Sequence, residues 1–248
     1  MTPKEHFSGH SAEYRRYRPG YPPELAAFLA RSAPGTSVAL DVASGNGQAV
    51  LDLACHFERV LASDASRNQL SERTPHPRVL YLRHAAEQLP GRGGAADLVT
   101  VAQAAHRLDL PRCYAEARRV LRPCGVVALW AYSLFQIDTD TDADSIVDGF
   151  YRERVGCYWP QERRHVDAHH LSLPLPLEEL PAPSLNFTVE WPLAALINYV
   201  GTWSAVERCR AATGVDPLPE LAAALEPHWP LGGRREIRFP IHLRIGRV

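Results

Sequence analysis

Two carboxylates, two glycines and a histidine stand where an α/β chain can do chemistry. The run Val38-Ala39-Leu40-Asp41-Val42-Ala43-Ser44-Gly45-Asn46-Gly47-Gln48 puts a carboxylate inside a short apolar strand and follows it with small residues. Helical spacing begins directly after it, at Ala49, Leu53 and Phe57. Backbone in such a strand–turn–helix can approach a ligand closely, because Gly45 and Gly47 lack a Cβ and take positive φ at little cost. The helix start adds unpaired N–H groups. A second apolar strand, Val60-Leu61-Ala62-Ser63, ends at Asp64, near the spacing expected of a carboxylate that accepts from ribose hydroxyls. Gly45-x-Gly47 alone is a weak signal, and Val50 stands where the third glycine of a dinucleotide fingerprint belongs. His106, after a fourth apolar stretch, is placed to meet a substrate or to act as a base, although a lone histidine there is more often structural.

Elements that would position these residues follow from periodicity. Pro22-Pro23 seeds a helix through about Arg31, with Leu25, Phe28 and Leu29 on its buried face. After Asp64 come a short helix (Gln69 to Arg73), a third strand (Val79 to Leu82) and a fourth (Asp97 to Val101). A helix over 111–121, ended by Pro123 and Gly125, leads to a fifth strand, Val126 to Trp130. Near-continuously apolar strands alternating with helices imply a parallel sheet covered on both faces, with ligands beyond the strands' carboxyl ends. Further on, Asn186 to Trp191 reads as a strand, Leu193 to Arg210 as one helix, and Leu218 to Leu225 as another. Arg235 to Arg247 alternates as an antiparallel strand, with Ile237, Phe239, Ile241, Leu243 and Ile245 apolar.

With 248 residues, 46% hydrophobic and 22% charged, the chain has ample material for a core. A net charge of −1 provides no global field toward nucleic acid or membrane. Five scattered cysteines make neither a disulfide framework nor a zinc module. Met1 to His6 carries no apolar leader and no later run approaches a membrane span, so the cytoplasm is the default. Asp138, Asp140, Asp142 and Asp144 alternate but lack the glycine and glutamate of a calcium loop, and read as a solvated turn and helix start. His165, Asp167, His169 and His170 read as a surface cluster, and no metal site is expected.

A set of motifs then recurs in order. It comprises Phe7 with Tyr14, Arg18-Pro19-Gly20-Tyr21-Pro22, the Asp41 to Gln48 turn, Ala86-Glu87-Gln88-Leu89-Pro90 and Ala102-Gln103-Ala104-Ala105-His106. It continues with Arg119-Val120-Leu121-Arg122-Pro123, Tyr158-Trp159-Pro160, Glu162-Arg163-Arg164 and Thr202-Trp203-Ser204-Ala205-Val206. Together these resemble the class I S-adenosylmethionine-dependent methyltransferases, and within them the trans-aconitate methyltransferase-like branch, across nearly the whole chain. The resemblance implies a Rossmann-like, seven-stranded α/β sheet with its last strand antiparallel, helices on both faces and a helical cap. It divides one integrated domain into an N-terminal lid and first helix (1–34), the cofactor-binding core (35–132), a cap insert (133–184) and the last strands with inserted cap helices (185–248).

The resemblance also implies a cofactor, S-adenosyl-L-methionine. Asp41, Ala43, Ser44, Gly45 and Gly47 would hold its methionine end, and Asp64 its ribose with Ala65 beneath the adenine. Ala86 and Glu87 would border the adenine edge, and Gln103 and Ala104 the sulfonium. Tyr14 and Arg18 would close over it. Read from the residues themselves, the aromatics after the core (Trp130, Tyr132, Trp159, Trp203) line an acceptor pocket with His106 or simply form the cap's core, and Arg152, Arg154, Arg163 and Arg164 could receive a carboxylate or equally be surface charge. Ala85 stands where many relatives place Asp, Ala43-Ser44 replaces the commoner Gly-Cys, and Arg107-Leu108 stands where this branch often has aromatics, which opens the acceptor's identity. The expected function is methyl transfer to a small-molecule acceptor, a carboxylate among the options, with no nucleic-acid or membrane partner. A non-catalytic nucleotide-binding protein and a nicotinamide-dependent oxidoreductase are the alternatives; the missing third glycine and absent Tyr-x-x-x-Lys pair argue against the latter.

Overall fold

The computed structural model describes residues 17–248, so Tyr14 lies outside the described residues. Helix α1 (Pro23–Ser32) starts on a proline whose fixed φ suits the first helical position, and buries Leu25, Ala26 and Leu29 along one stripe. Strand β1 (Val38–Val42) leads through the glycine turn into α2 (Val50–His56). Then come β2 (Arg59–Asp64), α3 (Arg67–Ser71), β3 (Val79–Arg83) and β4 (Ala96–Ala102). Helix α4 (Leu110–Val120) opens on Asp109, whose side chain accepts from Arg112 N at 3.3 Å, and runs straight into β5 (Leu121–Tyr132).

The strands lie side by side in the order β3-β2-β1-β4-β5 and all run parallel. The chain builds outward from β1 in one direction, then returns to place β4 on its other side. A crevice therefore opens beyond the carboxyl ends of β1 and β4, the place where such sheets take ligands. Alternation along β1 sends Ala39 to the face covered by α1 and α2, and Leu40 and Val42 to the face covered by α4.

Strand β6 (Gln136–Ile137) and helix α5 (Thr141–Gly149), extended by a π turn over Phe150–Arg154, begin the cap. Next come α6 (Arg164–Asp167), β7 (Glu178–Leu180), the sheet strand β8 (Leu185–Trp191), and helices α7 (Leu193–Gly201), α8 (Ser204–Thr213) and α9 (Leu218–Leu225). Strand β9 (Arg235–Arg247) returns antiparallel to β5. Ile241 is in register with Tyr132 of β5 and with Leu185 of β8, so those two strands flank β9 on opposite edges. The seven principal strands thus have the expected order with one antiparallel member, and β6 and β7 add short pairings to β9.

Two elements differ from the sequence reading. The helix expected over Leu193 to Arg210 is two, because Trp203 is extended (φ −73°, ψ 132°) and buries its indole among Phe135, Phe150, Tyr151, Trp159 and Tyr199. Thr202 closes α7 by donating its hydroxyl to Tyr199 O at 2.7 Å. Strand β5 is much longer than Val126 to Trp130: Leu121 already pairs with Ala96, and a bulge with Cys124 at φ 62° accommodates Pro123 and Gly125.

Phe239 of β9 is fully buried and meets Tyr132, Phe135, Phe187, Trp191 and Tyr199. Phe239→Ala should cost about 3–5 kcal/mol, read from chemical-denaturant unfolding.

Candidate functional site

The site is built at the carboxyl ends of β1, β2 and β4. Asp41 and Thr100 are register partners in β1 and β4, and the Thr100 hydroxyl donates to Asp41 Oδ1 at 2.6 Å. Asp41 is 1% exposed, and among the described residues its Oδ2 has no hydrogen-bond partner. Burial raises its pKa to about 7, against the opposing effect of the Thr100 hydrogen bond and with help from the Asp64 charge.

Beyond Asp41 the backbone makes three left-handed residues in alternation: Ala43 (φ 53°), Gly45 (φ 57°) and Gly47 (φ 93°). Ser44 N donates to Ser63 O at 3.0 Å, which ties the turn to β2. Gly45 N donates to Asp64 Oδ2 at 2.8 Å and Ser66 N to Asp64 Oδ1 at 2.7 Å, so the second carboxylate braces the turn. Each oxygen keeps a further lone pair. Burial nevertheless raises the Asp64 pKa, with the two N–H donors opposing it. A Cβ on Gly47 would lie 2.5 Å from Tyr81 Oη, so here the missing side chain makes room for a tyrosine from β3.

From the other side, Gln48 Nε2 donates to Arg18 O at 3.1 Å. The Arg18 guanidinium donates to Tyr132 Oη at 3.0 Å and to Thr202 Oγ1 at 3.1 Å, and stands 5.1 Å over the Tyr199 ring. The residue therefore links the glycine turn, β5 and the α7–α8 junction. At the end of β4, Gln103 is left-handed (φ 57°), donates its N–H to Trp130 O at 2.8 Å, and has a buried Nε2 with no partner among the described residues. Ala104 is half-buried beside it, as is Ala65 after Asp64. Ala86 is buried, and Glu87 accepts from Asp109 N at 3.2 Å.

His106 lies in a 3₁₀ turn and is 8% exposed. Burial, followed by the Arg107 charge, lowers its pKa to about 2. Arg107 Nε donates to its Nε2 at 3.1 Å, and since guanidinium only donates, the ring proton belongs on Nδ1. The one lone pair a neutral imidazole offers is thus taken. In this arrangement His106 presents an N–H at Nδ1 rather than a free lone pair.

The aromatics are sorted differently from the sequence reading. Trp130 is a core side chain, clustered with Leu25, Leu29 and Leu53 and edge-on to Tyr21 at 5.5 Å. Trp203 is likewise enclosed by the cap aromatics, and Tyr132 is buried with its hydroxyl held by Arg18. Trp159 is half-buried, and its indole donates to Tyr151 O at 3.3 Å. Arg152, Arg154 and Arg163 pair with Asp148, Glu220 and Asp167, so three of the four arginines expected to receive a carboxylate already have acids. The supposed surface cluster is not uniform either, since His170 is fully buried. Thr100 is a polar member of the site that the sequence reading passed over, although it carried a signal as the polar break in β4 that matches Asp41 in β1.

Residues 40–129 match the family model described as a methyltransferase domain. A candidate methyltransferase of Dictyostelium discoideum is 31% identical over 221 residues, covering 88% of this chain and 84% of that one. The structure of a candidate type II methyltransferase from Anaeromyxobacter dehalogenans superposes with a TM-score of 0.87 at 41% identity, over 93% of this chain and 98% of that one. The YcgJ protein of Bacillus subtilis, at 15% identity and a TM-score of 0.51 over 90% of this chain and 97% of that one, shares the fold alone. The chain belongs to the class I S-adenosylmethionine-dependent methyltransferases. It is therefore a methyl-transferring enzyme rather than an oxidoreductase or a bare binding module. Among the described residues, no helix is long and apolar enough to cross a membrane.

Two outcomes follow. Gly47→Ala, strained at φ 93° and crowded by Tyr81, should lower stability by roughly 1–2 kcal/mol, seen as a lower melting temperature. Because the Asp41 pKa is raised, the folded state holds an extra proton between about pH 4 and 7, and stability is lost as pH rises through that window. Asp41→Asn should therefore melt higher than wild type at pH 8, and the advantage should shrink toward pH 5.

Proposed function

We propose that this chain transfers the methyl group of S-adenosylmethionine to a small-molecule acceptor that carries a carboxylate. The observation that carries the cofactor half is the buried Asp41 carboxylate with one oxygen spoken for by Thr100 and the other open, at the switch point of the sheet. Ser44 Oγ and Gln103 Nε2, buried and without partners among the described residues, belong to the same crevice wall. Orphaned polar atoms of this kind fit a ligand with a cationic, hydrogen-bonding end, since buried polar groups are otherwise nearly always paired.

Bound there, S-adenosylmethionine supplies a methyl group on a positively charged sulfur. Asp41 and Ser44 hold the methionine end, with Ala43, Gly45 and Gly47 shaping the turn that approaches it. Asp64 uses its remaining lone pairs for the ribose hydroxyls. Ala65, Ala86 and Glu87 border the adenine, while Gln103 and Ala104 line the reacting sulfur. Arg18 stands beside the turn, its carbonyl accepting from Gln48 Nε2.

On the acceptor side, His106 offers an N–H and Trp159 a half-buried face, with Tyr132 and Trp203 packed behind. Alignment and exclusion of water are the enzyme's main tasks in such a displacement. A carboxylate oxygen needs no proton removed before it attacks, which agrees with a histidine that lacks basicity. The carboxylate also accords with the motif resemblance to the trans-aconitate methyltransferase-like branch. No long basic stripe runs through the sequence, so a nucleic-acid acceptor is disfavoured.

Titration calorimetry tests the cofactor reading. S-adenosylmethionine and S-adenosylhomocysteine should bind saturably, NADH should not, and Asp64→Ala should weaken both sulfur nucleotides at least tenfold. A cationic ligand draws the proton from Asp41. S-adenosylmethionine affinity should accordingly fall by up to about tenfold per pH unit below pH 7 and level off above it. Equal binding by Asp64→Ala, or preference for NADH, would overturn the assignment.

A further inference from the structure

We propose that His170 and His106 together form the acceptor's oxyanion grip, a pair of imidazoles that holds a carboxylate oxygen between them; this rests on the carboxylate reading above. His170 is 0% exposed, and neither of its ring nitrogens has a hydrogen-bond partner among the described residues. The same holds for His106 Nδ1, the atom that carries the proton once Arg107 occupies Nε2. The two rings lie 6.0 Å apart, centroid to centroid, tilted by 37°. One oxygen at about 2.8 Å from a nitrogen of each ring can bridge such a gap.

The fold goes to some length to put His170 there. His169 and His170 are consecutive left-handed residues (φ 55° and 60°), a conformation that disfavours side chains with a Cβ. Two backbone hydrogen bonds, His170 N to His165 O at 2.7 Å and Leu173 N to His170 O at 3.0 Å, and one from the Arg244 side chain, Nη1 to His170 O at 3.0 Å, hold the second of them. Arg244 is itself fixed to Glu179 at 2.8 Å. A merely structural position would be filled more cheaply by an apolar side chain, because unpaired buried N–H groups each cost about 1–3 kcal/mol.

The fixed charges nearby favour an anion. The Arg107 and Arg163 guanidinium groups bear on His106, and those of Arg163 and Arg244 on His170. Asp167 and Glu179 offset Arg163 and Arg244 in part. The turn of His106 is packed under that of Gln161–Arg163, and Arg163 lies 4.7 Å over Trp159. The pair therefore sits where the turn after β4 meets the Gln161–Arg163 turn. As neutral imidazoles the two supply N–H donors without adding charge that would have to be desolvated.

The test uses the full chain, labelled with ¹⁵N at histidine and saturated with S-adenosylhomocysteine. Acetate, benzoate and citrate are titrated in turn, with chloride as the ionic control. At least one carboxylate should shift the imidazole signals of both His106 and His170 saturably, and chloride should not. His170→Leu should weaken that carboxylate tenfold or more while S-adenosylhomocysteine affinity stays within twofold; His170→Asn, which keeps a donor, should lose less. The proposal is overturned if no carboxylate moves these signals, if only a water-like, ligand-independent state is seen, or if both variants bind as wild type does. Failure of S-adenosylhomocysteine to bind wild type would instead overturn the parent reading of the site.

Discussion

A carboxylate shut inside a parallel sheet is the constraint around which this molecule is arranged. Asp41 has almost no access to water, and its charge is opposed by the apolar strands on either side. A single hydroxyl, from Thr100 on the adjoining strand, compensates it. Such an arrangement is tolerable only if β1 and β4 keep their register, since a slip by one residue would send each side chain to the opposite face. The parallel pairing of β1 with both neighbours, the apolar faces under α1, α2 and α4, and the short glycine turn all serve to hold that register.

The turn shows how the second carboxylate does structural and chemical work at once. Asp64 takes N–H groups from Gly45 and Ser66, and thereby shapes the loop that departs from Asp41. The neighbouring Tyr81 fills the space that a side chain on Gly47 would need. Glycine here serves close packing from within the protein, in addition to any approach by a ligand.

Much of this was legible in the sequence, and for physical reasons. The buried parallel strands announce themselves as apolar runs, and β9 as strict alternation, because burial on two faces or one leaves those patterns. Positions that depend on local chain chemistry, Asp41, Gly45, Gly47 and Asp64, were visible for the same reason. What stayed hidden depends on contacts distant in the chain. The break at Trp203 follows from an aromatic cluster drawn from four other segments. The burial of His170 follows from a left-handed bend tied to β9 through Arg244, and nothing in His165 to His170 alone distinguishes an inward ring from an outward one. The loss of basicity at His106 depends first on its burial and then on where Arg107 points.

Strand β9 belongs to both halves of the molecule: its residues from Ile241 onward close the sheet edge at β5, while Arg235 to Ile241 zip up β8. Protein synthesis runs from the amino end, so β9 is made after the other described strands. Until it arrives, the backbone of Val126 to Tyr132 and that of β8 both lack the partner they share. An open, apolar strand edge is a template for pairing with other chains. The nascent core therefore passes through a stage exposed to misassociation, and shortening the chain by its last strand would leave both halves in that stage permanently.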